Sequence, residues 1–149
     1  MQVRKGFTLL EVLIAMGILA VTLLGLLSAV VITQRESITN AAREEASRVL
    51  SEELNELSVK DYDSVTLPNC PTDENRRVNY LHDSCKNALN SGTPTESRVI
   101  RNFTLTFGKA SCMVEDTTLN VKTIWTNVCW KLRGKTYHIL GSTVIRKEK

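Results

Sequence analysis

One glutamate, four cysteines and two histidines are the side chains of this 149-residue chain that invite a chemical reading. Glu11 is the only charge between Lys5 and Arg35, and it stands near the start of an almost wholly apolar run over residues 7–32. A carboxylate inside a run of membrane length costs roughly 2.5–3.5 kcal/mol on insertion scales. Its chemistry is therefore electrostatic: it pairs with a cation, or it snorkels to the head groups. Cys70, Cys85, Cys112 and Cys129 all lie beyond the run, and no C-x-x-C spacing supports a zinc ribbon or a thioredoxin site. His82 lies close to Cys85 in sequence, which leaves a zinc site as an alternative for that pair. Asp61 and Asp63 fall in turn-like sequence and read as solvated. There is no P-loop, dinucleotide glycine motif, G-x-S-x-G or H-E-x-x-H. The expectation is a chain that is not an enzyme and carries no cofactor and no metal.

The elements that must position these residues follow from periodicity. The apolar run of about 26 residues makes about 39 Å of helix, enough to cross a bilayer. It is too long for a secretory signal and no A-x-A-like cleavage site follows it. Arg4 and Lys5 orient such an anchor with its N-terminus in the cytoplasm. Ile38, Ala42, Ala46, Val49, Leu50, Leu54 and Leu57 then recur at spacings of 3 and 4, which is one helical face. With no Gly or Pro over residues 33–60, one helix is predicted over residues 7–58. Residues 60–97 hold all three prolines and many Asn, Asp and Ser, so they read as a connecting loop with short elements, such as one near residues 78–81. From Arg98 onward the alternation is strand-like: Phe103, Leu105 and Phe107; then Leu119, Val121, Thr123 and Trp125; then residues 129–132 and 136–140 around Arg133-Gly134-Lys135, a hairpin turn. Trp125 is in phase with the apolar face and is expected in the core, whereas Trp130 has no clean phase.

The stretch Lys5-Gly6-Phe7-Thr8-Leu9-Leu10-Glu11 resembles the leader junction of type IV pilins and type II secretion pseudopilins. The resemblance implies a six-residue leader with Arg4 and Lys5, cleavage after Gly6 by prepilin peptidase, methylation of the new N-terminal Phe7, and Glu11 as the fifth mature residue. It further implies that Glu11 pairs with the Phe7 amine of a neighbouring subunit in a filament. An unpaired charge is far costlier in lipid than a paired one. Major pilins usually have a kinking Pro at the position of Ser28, whereas none precedes Leu67 here. Gly17 and Gly25 remain as points where the helix could soften. The segment is most similar to V-type minor pilins and I-type pseudopilins.

An even cysteine count in an exported domain with a small core favours two disulfides, and three connectivities are open. The preferred one joins Cys70 to Cys85, clipping the loop, and Cys112 to Cys129, linking adjacent strands. Charge is also unevenly placed. Residues 33–97 carry seven Lys/Arg against twelve Asp/Glu, and residues 98–149 carry ten against three. Three readings are open: complementarity between stacked subunits, a polyanion surface with Lys131, Arg133 and Lys135 at its centre, or two oppositely charged layers of one domain.

The expected fold is α+β, a long N-terminal helix on a four-stranded antiparallel sheet. Its parts are a leader (residues 1–6), a membrane and filament-core half-helix (7–32), an amphipathic half-helix (33–58), and an exported loop and sheet (59–149). The expected function is that of a minor pilin incorporated into, or priming, a type IV pilus. The alternatives are a secretion pseudopilin, or a tip subunit for DNA uptake or adhesion. Expected partners are other pilin subunits, prepilin peptidase and the inner-membrane assembly platform, with nucleic acid disfavoured. The expected location is the inner membrane, single-pass, and then the filament.

Overall fold

A computed structural model describes residues 8–93, 95–100 and 102–147. Arg4, Lys5, Gly6 and Phe7 therefore lie outside the described residues. The elements are α1 (Leu9–Val59), a single 3-10 turn (Tyr62–Ser64), α2 (Glu74–Ser91), β1 (Thr95–Ile100), β2 (Phe103–Asp116), β3 (Val121–Leu132) and β4 (Lys135–Arg146). Two compact units divide the chain, Met1–Thr39 and Asn40–Lys149. Helix α1 continues through Gly17 and Gly25 without a break.

In the second unit the sheet order is β1-β2-β3-β4, every neighbour antiparallel. Alternation along the strands decides which residues face which helix. On β2, Leu105 and Phe107 join Ala42, Ala46, Val49 and Leu50 of α1 in the main core, together with Val128 and Trp130 of β3. Further along, Leu57 packs with Ile124, Ile145 and Val65. The small Ala42 and Ala46 leave room for the large Phe107 and Trp130, and burying each large side chain contributes about 1.5–3 kcal/mol. Gly141 lets β4 pass under α1: a Cβ there would sit 2.8 Å from Leu54 Cδ1 and 3.0 Å from Leu50 Cδ2.

The acidic helix and the basic sheet meet inside this unit. Arg98 of β1 bonds Glu52 and Glu96 and approaches Glu45, while Lys109 of β2 bridges Glu53 and Glu96 at 3.0 and 2.8 Å. Part of the charge asymmetry, that at Arg98 and Lys109, is therefore that of two layers of one domain. These pairs are partly exposed and each contributes modestly.

The second face of the sheet is covered by α2, an 18-residue helix in a stretch that reads as loop. Its signals are local. Asp73 caps the N-terminus, its carboxylate accepting from the Arg76 amide at 2.9 Å. Gly92 closes the C-terminus at φ +78°, donating to the Ala88 carbonyl. Only Leu81, Cys85 and Ala88 are buried, so the apolar stripe is thin among Asn, Arg and Ser.

The strands are divided differently from the expectation. Thr95–Ile100 forms a first strand, and the segments around Trp125 and Trp130 are one continuous strand, β3. Leu119 lies outside it and is exposed. Because both faces of β3 are covered, residues 126–130 are all buried and the alternation vanishes there. Trp130 is thus a core residue, 2% exposed, whereas Trp125 is half-buried beneath the Arg77 guanidinium at 4.8 Å.

Candidate functional site

Thr8 and Glu11 close a capping box at the start of α1. The Thr8 amide donates to Glu11 Oε2 at 3.4 Å, and the Glu11 amide donates to Thr8 Oγ1 at 3.3 Å. Such a box satisfies first-turn donors that have no partner within the helix, and it places negative charge at the positive end of the helix dipole. The carboxylate is thereby held at the helix start, and Oε1 is its second oxygen for an outside donor.

The helix that follows buries nothing within its own unit. Leu9, Leu10, Val12, Leu13, Ile14 and the further large apolar residues to Ile32 are all exposed. Its hydroxyls are satisfied internally: Thr22 donates to the Leu19 carbonyl, Ser28 to Leu24 and Thr33 to Ala29, at 2.8–3.0 Å. Glu11 is left as the polar side chain of this segment best able to bond a group from another molecule. A helix apolar on every face is stable only among lipid tails or other helices.

The cysteines pair differently from the expectation. The bridges are Cys70–Cys112 and Cys85–Cys129, not Cys70 with Cys85 and Cys112 with Cys129. Register explains the second half of this correction: Cys112 faces Trp125 and Cys129 faces Gly108, so the two lie four residues apart along adjacent strands, about 13 Å at the strand rise. Helix α2 explains the first half. It carries Cys85 onto the sheet beside Gly108, where a Cβ would sit 2.7 Å from the Cys85 carbonyl oxygen. Cys70 arrives on the same face along the edge of β2 that β1 leaves open, where its amide donates to the Met113 carbonyl and the Met113 amide donates to the Pro68 carbonyl. Cys85 is consumed by its bridge, so it is no thiolate ligand for a zinc ion beside His82.

His82 instead stacks on His138 of β4, with ring centroids 3.9 Å apart. Asn127 links this pair to α2, its Nδ2 lying 3.0 Å from the Leu81 carbonyl and 3.3 Å from His138 Nδ1. Burial, with the nearby His82 and Lys86, holds the His138 pKa below the usual histidine value. Lys122, 6% exposed, donates to the Tyr62 and Val65 carbonyls at 2.7 and 3.2 Å and so fastens the end of the helix connection to β3. Neither grouping is visible in the sequence, since each joins residues far apart in the chain.

Lys131, Arg133 and Lys135 are exposed around the β3–β4 turn. Arg133 and Gly134 both have positive φ, 51° and 78°, which is the two-residue hairpin turn matched to strand twist. Lys131 stands opposite Thr136, and Lys135 opposite Leu132. The two lysines therefore project from opposite faces of the ribbon, ringing its tip.

Residues 1–32 match the family model described as the prokaryotic N-terminal methylation motif. No significant match to a curated protein or to a solved structure accompanies it. The match covers the segment that holds Gly6, Phe7, Glu11 and the exposed apolar helix. It supports a type IV pilin-like protein and fits anchoring in the inner membrane.

Proposed function

We propose that this chain is a minor pilin of a type IV pilus. It is inserted in the inner membrane with a short cytoplasmic N-terminus and an exported C-terminal unit. Prepilin peptidase cuts it after Gly6, the Phe7 amine is methylated, and the subunit is built into the filament or primes it. In this reading the chain is a substrate of enzymes and not an enzyme, and its action is assembly. The observation that carries the reading is the apolar helix exposed on every side, with Glu11 held at its start by Thr8. Assembly buries that surface against other copies of the same kind of helix, and the Glu11 carboxylate pairs with a neighbour's Phe7 amine. Since the pair forms at one stagger only, it also sets the axial register. The absence of Pro from α1 favours a minor over a major subunit. The four cysteines are what favours a pilus over a secretion pseudopilus in this reading.

Mass spectrometry of the mature protein tests this. The expected N-terminus is methylated Phe7, in protein recovered from sheared pili. Retention of Met1 would overturn the family reading, and recovery only with a secretion pseudopilus would move the chain to that system.

A further inference from the structure

The β3–β4 turn lies at one end of the folded unit, and the packing partners of α1 say which end. Ile145 of β4 and Ile124 of β3 pack with Leu57. Gly141 lies against Leu54 and Leu50. Nearer the turn, Ile139, Tyr137, Trp130 and Leu132 belong to the cluster that includes Ala41, Ala42 and Ala46. The ribbon thus runs from Leu57 at its far end toward the Asn40 end of α1, where the helix enters the unit. By chain connectivity alone, only residues 33–39 separate that end from Ile32, the last residue of the apolar run.

We infer that the β3–β4 hairpin tip is a docking surface for an anionic lipid bilayer, engaged while the subunit waits in the membrane. The inference rests on reading residues 9–32 as membrane-inserted. Lys131, Arg133 and Lys135 carry the charge. Among the described residues none of the three enters an ion pair, whereas Arg98, Lys109, Lys60 and Lys147 all do. Arg133 holds a backbone conformation that Asn or Gly adopts with less strain, so what it adds at the tip is its guanidinium. The arrangement also selects the kind of partner. Charges ringing the end of a ribbon meet a plane that lies across the strands. A nucleic-acid groove asks for cations along one face, and here the two lysines point to opposite faces. Basic side chains near an anionic leaflet are attracted within a Debye length and released by salt.

The test uses the full chain, reconstituted in nanodiscs of phosphatidylcholine alone or mixed with phosphatidylglycerol, and amide hydrogen exchange of residues 131–136. The expected result is exchange slowed roughly tenfold by phosphatidylglycerol. That protection should vanish at high salt and in the triple variant Lys131→Gln, Arg133→Asn, Lys135→Gln, where Asn keeps the turn. Equal exchange in both discs, in a chain that resists carbonate extraction, would overturn the docking surface and leave the anchor standing. Extraction by carbonate would overturn the anchor and the docking surface together. Equal protection by duplex DNA on phosphatidylcholine discs, surviving physiological salt, would replace the bilayer by a nucleic acid.

Discussion

Glu11 caps α1 through Thr8, and in the proposed filament it also pairs with a neighbour's amine. Gln can serve in the same capping box but carries no charge. Glu11→Gln should therefore insert and be cleaved normally, while its incorporation into sheared filaments, measured by immunoblot against the cell-bound pool, falls severely. Glu11→Ala should lose the cap as well. Normal incorporation of the Gln variant would reduce Glu11 to a helix cap. His138 offers a pH test of the α2–β4 contact. Its folded pKa lies below the usual 6.5 because burial and the neighbouring His82 and Lys86 disfavour the cation. The unfolded chain therefore takes up the proton first. Stability should be full above about pH 7 and decline as pH falls from about 6.5 toward the lowered folded value. Glu96, lowered chiefly by its bond from Lys109, adds a separate loss only below its ordinary 4.5. Urea unfolding across pH 5–8 should show the first decline, and His138→Gln should flatten it. Glu11 is legible in sequence because a lone charge in an apolar field stands out. His138 is not, because its meaning comes from α2, β3 and β4 meeting across long sequence separations.

At the scale of elements, α2 is where sequence and structure part. The amphipathic half of α1 shows its face by spacing alone, since Ala42, Ala46, Val49, Leu50 and Leu57 are the residues it buries. Helix α2 buries too few apolar residues to show a stripe, and its caps are the readable signal. The disulfide pairing was illegible for the same reason, since it depends on a helix crossing the sheet. What α2 lacks in apolar contact the Cys85–Cys129 bridge supplies as a covalent hold. Gly108 permits the close approach. In Gly108→Ala the new Cβ meets the Cys85 backbone carbonyl at 2.7 Å and Cys129 Sγ at 3.1 Å. Backbone cannot swing aside as a side chain can, so the loss should be about 1–3 kcal/mol in urea unfolding. Gly141→Ala meets only Leu side-chain ends and should cost less. Equal losses would mean that α2 yields as readily as a leucine.

For the whole molecule, the division is between a helix that exposes its apolar surface and a unit that buries its own. The formal charge of +3 says little about any one surface, because Arg98, Lys109 and Lys147 are paired with carboxylates while the hairpin-tip cations, among the described residues, are not. What remains at the hairpin tip is local. Duplex DNA should accordingly bind the full chain weakly in zwitterionic discs, the affinity collapsing between about 50 and 200 mM salt, as sequence-independent phosphate contacts do. Fluorescence anisotropy with a labelled duplex reads this. The α+β class, the hairpin turn and the helix face were readable because local pattern encodes them. The three-layer build was not, because covering both faces of β3 erases the alternation that would have announced it.

The two bridges interleave along the chain, Cys70 with Cys112 and Cys85 with Cys129. A unit that emerges across a membrane in chain order, behind a helix whose N-terminus stays on the near side, presents Cys70 and Cys85 together before either true partner has emerged. The earliest pair of thiols available to an oxidant is thus the wrong pair. Final connectivity requires either that oxidation wait for the sheet or that a mixed disulfide be exchanged afterwards. Oxidising the reduced chain quickly, without a thiol shuffler, should trap a Cys70-to-Cys85 crosslink, which peptide mapping detects and added glutathione converts to the native pattern. On the proposed reading, biogenesis would then depend on a disulfide isomerase as well as a peptidase, and the timing of export would become part of the information that specifies the fold.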